Sequence, residues 1–218
     1  MVFKINKMKI YIVRHAQTRS NLKEIACENQ KKEGLTKKGK EQAKKLAEKL
    51  NKVKFDKIFI SEARRTYETI LPLLRLKKGI PIKKDQRLNE CKFGIFSGLT
   101  LKEAEKKYPK IFKARWKDKW NIPIPKGESY KEVALRLNSF LNDLKKETEK
   151  SQFKNVLIVT HVTPLKVFLI KHLGFSMDEV ESIYFKNALV SIFDFKNGKI
   201  KSIQINDYSN AKEILNRF

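Results

Sequence analysis

Lys9-Ile10-Tyr11-Ile12-Val13-Arg14-His15 is the stretch on which the fold turns. Residues 9–13 are a short, largely β-branched run that stops at two polar side chains. That pattern reads as a strand buried on both faces, with its C-terminal end emerging at a polar edge. Two further segments repeat it: Lys57-Ile58-Phe59-Ile60 ends at Ser61, and Asn155-Val156-Leu157-Ile158-Val159-Thr160 ends at His161. Helical spacing fills the intervals. Ala43, Leu46, Ala47 and Leu50 share one face over residues 36–50, with Thr36 placed to cap it. A helix is expected over about residues 63–74, where Pro72 can end it early. Val133, Leu137, Phe140, Leu141 and Leu144 line one face of a long helix at 129–149. Residues 164–173 read as another helix, with Gly174 as its C-cap. Residues 80–84 are a short strand candidate, and 188–195 and 199–205 flank a hairpin signal at Lys196-Asn197-Gly198.

Strands alternating with helices predict an α/β fold with three layers, α/β/α, around a mostly parallel central sheet. At 218 residues the chain reads as a single domain spanning 1–218. Residues 94–128 stand apart. They hold both Trp residues and two short amphipathic pieces, at about 101–107 and 109–117, and read as a small helical cap inserted into the core order.

Composition narrows the class. With 41% hydrophobic residues a sizeable core is available. No run approaches the ~18 apolar residues of a membrane span. The apolar stretch near the N-terminus is short and leads into Arg14-His15, so it reads as a strand and not a signal peptide. Cys27 and Cys91 make neither a disulfide framework nor a metal cluster, which suits a reducing cytoplasm. No metal, cofactor or membrane partner is expected. Monomer and homodimer are both left open. The charge is +25, and the excess is mostly Lys, eleven of them within residues 31–57. A solvated basic surface accounts for it best, attraction of an anionic small molecule next, and nucleic acid least, because basic residues are spread rather than clustered with aromatics.

In open α/β sheets ligands bind beyond the carboxyl ends of the strands. The residues there are Arg14 and His15, Ser61 with Arg65 a turn later, and His161; two of the three histidines occupy such places. A phosphoryl group carries two charges and several acceptor oxygens, which the Arg fork grips bidentately. Imidazole is largely unprotonated at neutral pH and can attack phosphorus. Two Arg and two His therefore suit a phosphohistidine mechanism better than acyl transfer. No GxSxG elbow or Walker loop competes.

The motifs around these residues resemble those of the histidine phosphatase superfamily, also called phosphoglycerate mutase-like. Arg14-His15-Ala16-Gln17-Thr18 with Asn21 resembles its nucleophile block, and Leu35-Thr36 with Gly39 and Gln42-Ala43 the next. Ser61 with Arg65 and Thr69 resembles the S-x-L-x-R-A-x-x-T block; Leu88-Asn89-Glu90 followed by Gly94 and Gly98 resembles the L-x-E block. Gly127-Glu128-Ser129 with Arg136, then Thr160-His161-Val162-Thr163-Pro164, complete six blocks in family order. Details such as Val162-Thr163-Pro164 look like the α-ribazole-phosphatase-like branch. The resemblance implies that His15 is the nucleophile. Arg14 and Arg65 would grip the phosphoryl oxygens, and His161 would hydrogen-bond them. Asn21 and the backbone N–H of Val162 would add donors. Glu90 would protonate the leaving oxygen and then activate water. Arg64 competes with Arg65, and Glu62 and Glu128 with Glu90; Asn21 can instead cap the following helix. Ala16, Gln17, Thr66 and Val162 depart from the pattern without removing a reacting group.

The expected activity is that of a hydrolase of the histidine acid phosphatase kind: metal-independent cleavage of small phosphorylated metabolites. A phosphoglycerate mutase-type transfer is the alternative, disfavoured because the R-R-x-Y-D stretch of cofactor-dependent mutases is absent. A polyanion or nucleic-acid binder on a phosphatase scaffold is the third reading, motivated by the charge. Lys92, Lys113, Arg115, Trp116 and Trp120 are candidates for meeting the leaving group.

Overall fold

A computed structural model describes residues 7–28, 32–196 and 199–205. Among these, one sheet is formed by β1 (Lys7–Arg14), β2 (Lys57–Ile60), β3 (Ile82–Lys84), β4 (Asn155–Thr160), β5 (Val190–Lys196) and β6 (Lys199–Ile205), in the spatial order β3-β2-β4-β1-β5-β6. The first three pairings are parallel, and β5 and β6 are added antiparallel. The helices are α1 (Arg19–Leu22), α2 (Lys37–Leu50), α3 (Arg64–Leu76), α4 (Leu101–Lys107), α5 (Pro109–Lys117), α6 (Tyr130–Ser151), α7 (Val162–Leu173) and α8 (Met177–Ser182).

Alternation along β1 makes the three layers. Met8, Ile10 and Ile12 pack with Phe140, Leu144, Leu165 and Phe168 of α6 and α7. Tyr11 and Val13 pack on the opposite face with Leu46, Leu50, Ile70 and Leu73 of α2 and α3. β1, β2 and β4 are thus apolar over most of their length because both of their faces are covered, whereas the edge strand β3 is exposed at all three residues. The lysines of α2 follow from the same geometry. Gly39, Ala43, Leu46, Ala47 and Leu50 face the sheet, while Lys37, Lys38, Lys40, Lys44, Lys45 and Lys49 are exposed. This basic run is a solvated helix face.

Several local expectations change. Pro72 does not end α3, which continues to Leu76. Proline deletes a single helical N–H bond, and burial of Ile70 and Leu73 on either side holds the helix together. β5 begins at Val190 because Ala188, at φ 58°, is left-handed and breaks the extended run. Two short helices, α1 and α8, were not anticipated; each starts with a capping box, Thr18 with Asn21 and Ser176 with Glu179. The Asn197-Gly198 turn lies outside the described residues, although the strands flanking it pair antiparallel.

Within residues 94–128, Phe96, Ala104 and Ile124 form a small apolar cluster of their own. Its entry and exit are pinched together: the Ile95 N–H donates to the Pro125 carbonyl at 3.1 Å. Gly94 has φ +49°, and a Cβ on it would lie 2.1 Å from that oxygen, so only glycine fits. Among the described residues no helix is long and apolar enough to cross a membrane.

Gly39 is a second place where a missing side chain matters. A Cβ there would stand 2.2 Å from the Gln17 carbonyl oxygen, where α2 abuts the loop that follows β1. Gly39→Ala is expected to cost about 1–3 kcal/mol by overpacking, read as a lowered urea midpoint. Lys40→Ala, on the exposed face of the same helix, should stay within about 0.5 kcal/mol of the parent.

Candidate active site

Parallel pairing sets Arg14 level with Thr160, so the residues that follow leave the sheet side by side. The ladder runs one bond further, from the His15 N–H to the Thr160 carbonyl at 3.0 Å. The His15 and His161 rings end 5.1 Å apart between centroids and inclined at 63°. β2 on the other side of β4 does the same for Ser61, whose N–H donates to the Val159 carbonyl at 3.1 Å. Both imidazoles, Arg65 and Glu90 are buried.

Hydrogen bonds decide the imidazole protons. His15 Nδ1 lies 2.8 Å from the Ala16 carbonyl oxygen, which can only accept. Nδ1 therefore carries the hydrogen, and Nε2 keeps its lone pair. His161 Nδ1 lies 3.2 Å from Arg65 Nη2, which can only donate. Its Nε2–H then donates to Ser61 Oγ at 2.8 Å. Ser61 Oγ also accepts the Ala63 N–H at 3.2 Å and passes its own hydrogen to Thr66 Oγ1 at 3.1 Å. Thr66 Oγ1 in turn donates to the Ala63 carbonyl at 2.7 Å. Each group in this chain has a consistent part, with Thr66 closing it. Burial, then Arg65 and Arg14, hold the His15 pKa well below the ordinary imidazole value; the Ala16 carbonyl opposes this. Burial and then Arg65 lower His161 likewise.

α3 separates the two adjacent arginines. Arg64 is exposed and pairs with Glu68 one turn on at 2.6 Å, while Arg65 is 2% exposed and faces the histidines. Thr69 lies one turn after Arg65 and accepts the Ala16 N–H at 2.9 Å. Helix α3 and the loop that follows β1 are thereby joined. The loop is also held by Gln42 Oε1, which accepts the Gln17 N–H at 2.9 Å, and by Thr36, whose hydroxyl donates to Gln17 Oε1 at 3.0 Å. Arg14 reaches back and donates from Nη1 to the Phe185 carbonyl. A carboxylate not singled out in the sequence, Glu33, lies 3.9 Å from Arg65. Burial alone would raise its carboxyl, but hydrogen bonds from Ser20 and Thr18 and the Arg65 charge bring it below the usual range.

Glu90 joins this group through α7. Its Oε1 accepts the N–H of Cys91 at 2.8 Å and of Thr163 at 3.2 Å. Thr163 stands two residues beyond His161 in the first turn of α7, where N–H groups lack helical acceptors. Val162 is the first residue of that turn, so its N–H belongs to the same unpaired set of the helix start. The backbone before Glu90 is fixed by Thr160, whose hydroxyl donates to the Leu88 carbonyl at 2.7 Å. Arg136 adds bonds to the carbonyls of Arg87 and Glu90 and pairs with Glu128 at 3.0 Å. The competing acids are thus engaged elsewhere, Glu128 with Arg136 and Glu62 with the Asn89 amide at 3.0 Å.

Asn21 is not an N-cap residue, but its side chain closes the capping box of α1. It is the third residue of α1, and its Oδ1 accepts from the N-cap Thr18 N–H at 3.1 Å and from Asn187 Nδ2 at 3.0 Å. Two of the candidate leaving-group contacts are packing residues. Arg115 is 3% exposed, donates to the Lys119 carbonyl and lies over the Tyr130 ring. Trp120 packs against the main core. Trp116 stacks on Phe112 at 4.1 Å, and Lys92 and Lys113 are exposed. Lys92 also borders a cleft of about 490 Å³ that Glu90 lines.

The family model for the histidine phosphatase superfamily, branch 1, matches residues 10–208. The chain belongs to that superfamily. Phosphoserine phosphatase 1 of Hydrogenobacter thermophilus is 27% identical over 199 residues, 91% of this chain and 92% of its own. A 6-phosphofructo-2-kinase/fructose-2,6-bisphosphatase of Gallus gallus is 30% identical over 173 residues, 78% of this chain but 34% of that longer protein. Among solved structures, the alpha-ribazole phosphatase of Shigella flexneri superposes with a TM-score of 0.78 at 22% identity, covering 93% of this chain and 96% of that one. A phosphoglycerate mutase of Bacillus anthracis gives 0.78 at 20%, covering 93% of each. These superpositions show the shared fold, with its mostly parallel sheet and covering helices. The relatives support phosphatase or related chemistry for the superfamily member described here.

The protonation pattern is directly measurable. Long-range ¹H–¹⁵N spectra should show His15 and His161 neutral at about pH 6, where a free imidazole is mostly charged. His15 should be the Nδ1–H tautomer and His161 the Nε2–H tautomer. A protonated His15 at that pH would contradict the assignment.

Proposed function

We propose that this protein is a phosphatase that hydrolyses small phosphomonoesters through a phosphohistidine on His15, without a metal ion. The observation that carries the reading is the bond from His15 Nδ1–H to the Ala16 carbonyl, which leaves the Nε2 lone pair free within a buried cationic pocket. In the first step Nε2 attacks phosphorus in line and the ester P–O bond breaks. Arg14, Arg65 and the amide of Asn21 hold the equatorial oxygens. Val162, at the start of α7, adds its N–H. Burial and then the arginine charges depress His161; a bound dianion offsets them, so that His161 takes up a proton from solvent at Nδ1, hydrogen-bonds a phosphoryl oxygen with it, and returns it to solvent when phosphate leaves. Glu90 gives a proton to the leaving oxygen, releasing the alcohol. The two backbone bonds to Glu90 both fall on Oε1, which leaves Oε2 for that transfer. In the second step the Glu90 carboxylate takes a proton from water. The resulting hydroxide displaces His15 Nε2 from phosphorus, inorganic phosphate leaves, and the enzyme is restored.

The leaving group belongs in the cleft beside Glu90. Its lining brings Glu28 and Glu128 together with Lys92 and Arg136, beside the amides of Gln86 and Asn89. Mixed charge of this kind suits a small zwitterionic alcohol, and the phosphoserine phosphatases among the relatives make phosphoserine the first substrate to assay.

His15→Ala is expected to abolish hydrolysis of p-nitrophenyl phosphate, while excess EDTA leaves the parent unaffected. Activity in His15→Ala, or its loss to chelator, would overturn the reading. Glu90→Gln should slow phosphoserine by about 10²–10⁴-fold and p-nitrophenyl phosphate far less, because the aryl leaving group needs no proton and only the shared hydrolysis of the phosphohistidine loses its base. Equal losses on both substrates would remove Glu90 from protonation of the leaving oxygen.

A further inference from the structure

Residues 185–188 enter the site from the far end of the chain, between α8 and β5. Their backbone is stitched to the nucleophile. The Phe185 carbonyl accepts Arg14 Nη1, and the Ala188 N–H donates to the carbonyls of Arg14 at 3.0 Å and His15 at 3.3 Å. Ala188 holds φ 58° in doing so, a conformation that disfavours any residue with a Cβ. Strain kept at such a place is the mark of a backbone whose position matters. Between these contacts stands Asn187. Its Nδ2 donates to the His15 carbonyl at 3.0 Å and to Asn21 Oδ1 at 3.0 Å.

The amide nitrogen of Asn187 has two hydrogens, and two acceptors use both. Asn21 Oδ1 receives a second donor, the Thr18 N–H at 3.1 Å. An amide whose oxygen is held by two N–H groups cannot rotate to present that oxygen elsewhere. The amide is therefore held with its oxygen toward Thr18 and Asn187 and its nitrogen on the other side. A phosphoryl dianion attracts such donors and repels a carbonyl oxygen, so the orientation of Asn21 governs whether it aids or opposes binding.

We infer that Asn187 is a positioning residue that locks the Asn21 amide with its donor face toward the phosphoryl site and tethers the His15 carbonyl. The inference rests on the phosphoryl site proposed above. It makes anion affinity depend on a side chain that does not itself touch the anion. Asparagine is required because aspartate offers no donor and alanine no hydrogen bond at all.

The test is competitive inhibition of p-nitrophenyl phosphate hydrolysis by inorganic phosphate. The inhibition constant reports the folded, active fraction alone, so a variant that merely folds poorly loses rate without moving it. Asn187→Ala should weaken phosphate about tenfold, the worth of one charge-assisted hydrogen bond. Asn21→Ala should do the same, and the double variant should be no weaker than either, because one interaction is being removed twice. Asn187→Asp, of the same size but without a donor, should weaken phosphate further. It also serves if Asn187→Ala does not fold. The inference is overturned if the two alanine effects multiply, or if the Asn187 variants bind phosphate within about twofold of the parent. A parent enzyme that does not hydrolyse the aryl phosphate would instead overturn the underlying phosphatase reading.

Discussion

The parallel pairing of β1 with β4 is the constraint from which the site follows. Arg14 stands opposite Thr160, and one residue further along each strand is a histidine. A shift of one residue in either strand would send one imidazole to the opposite face of the sheet. That register is held by the apolar alternation of both strands, whose two faces are buried in different clusters. The same packing that makes the core therefore places the two rings 5.1 Å apart. β2, on the far side of β4, adds Ser61 and the start of α3, and so brings in Arg65.

Electrostatics then turns proximity into chemistry. Burial, then Arg65 and other guanidinium groups, depress both imidazoles, and different partners fix the hydrogen on each. His15 keeps a lone pair on Nε2, fixed by its bond to a carbonyl. His161 accepts from Arg65 and donates to Ser61, a relay closed by Thr66. In a low-dielectric pocket such bonds are strong when complete and costly when broken. The site is accordingly supported on every side: Thr69 and Gln42 brace the loop that carries His15, Thr160 and Arg136 hold the backbone before Glu90, and Glu33 approaches Arg65.

Much of this was legible beforehand because it depends on local pattern. The buried strands, the helix capped by Thr36, the long helix α6 and the left-handed Gly174 at the end of α7 follow from periodicity and capping chemistry. The choice of Arg65 over Arg64 followed from its spacing to Thr69, which helical geometry explains. Other features escaped. α1 and α8 are too short to show periodicity, and their capping boxes were the available signal. Arg115 and Trp120 read as possible leaving-group contacts, yet packing within and beneath the cap claimed them. A polar or aromatic residue in an amphipathic piece does not declare which neighbour it will meet.

By itself, then, the sequence determined the layer order and which residue types stand beyond the strand ends, two arginines and two histidines. Strand composition, helical spacing and six short motifs are properties of contiguous chain, and each acts within a few residues. Tertiary structure alone decided which nitrogen of His161 carries the hydrogen, because that depends on Arg65 and Ser61 as partners in space; for His15 the partner is the adjacent Ala16 carbonyl, in a loop held by Thr69 and Gln42. Tertiary structure also brought Asn187 against His15 and Asn21, 172 and 166 residues away. No local pattern encodes such a contact. It exists because β5 pairs antiparallel with β1 and delivers the preceding loop to the end of the sheet where the histidines emerge.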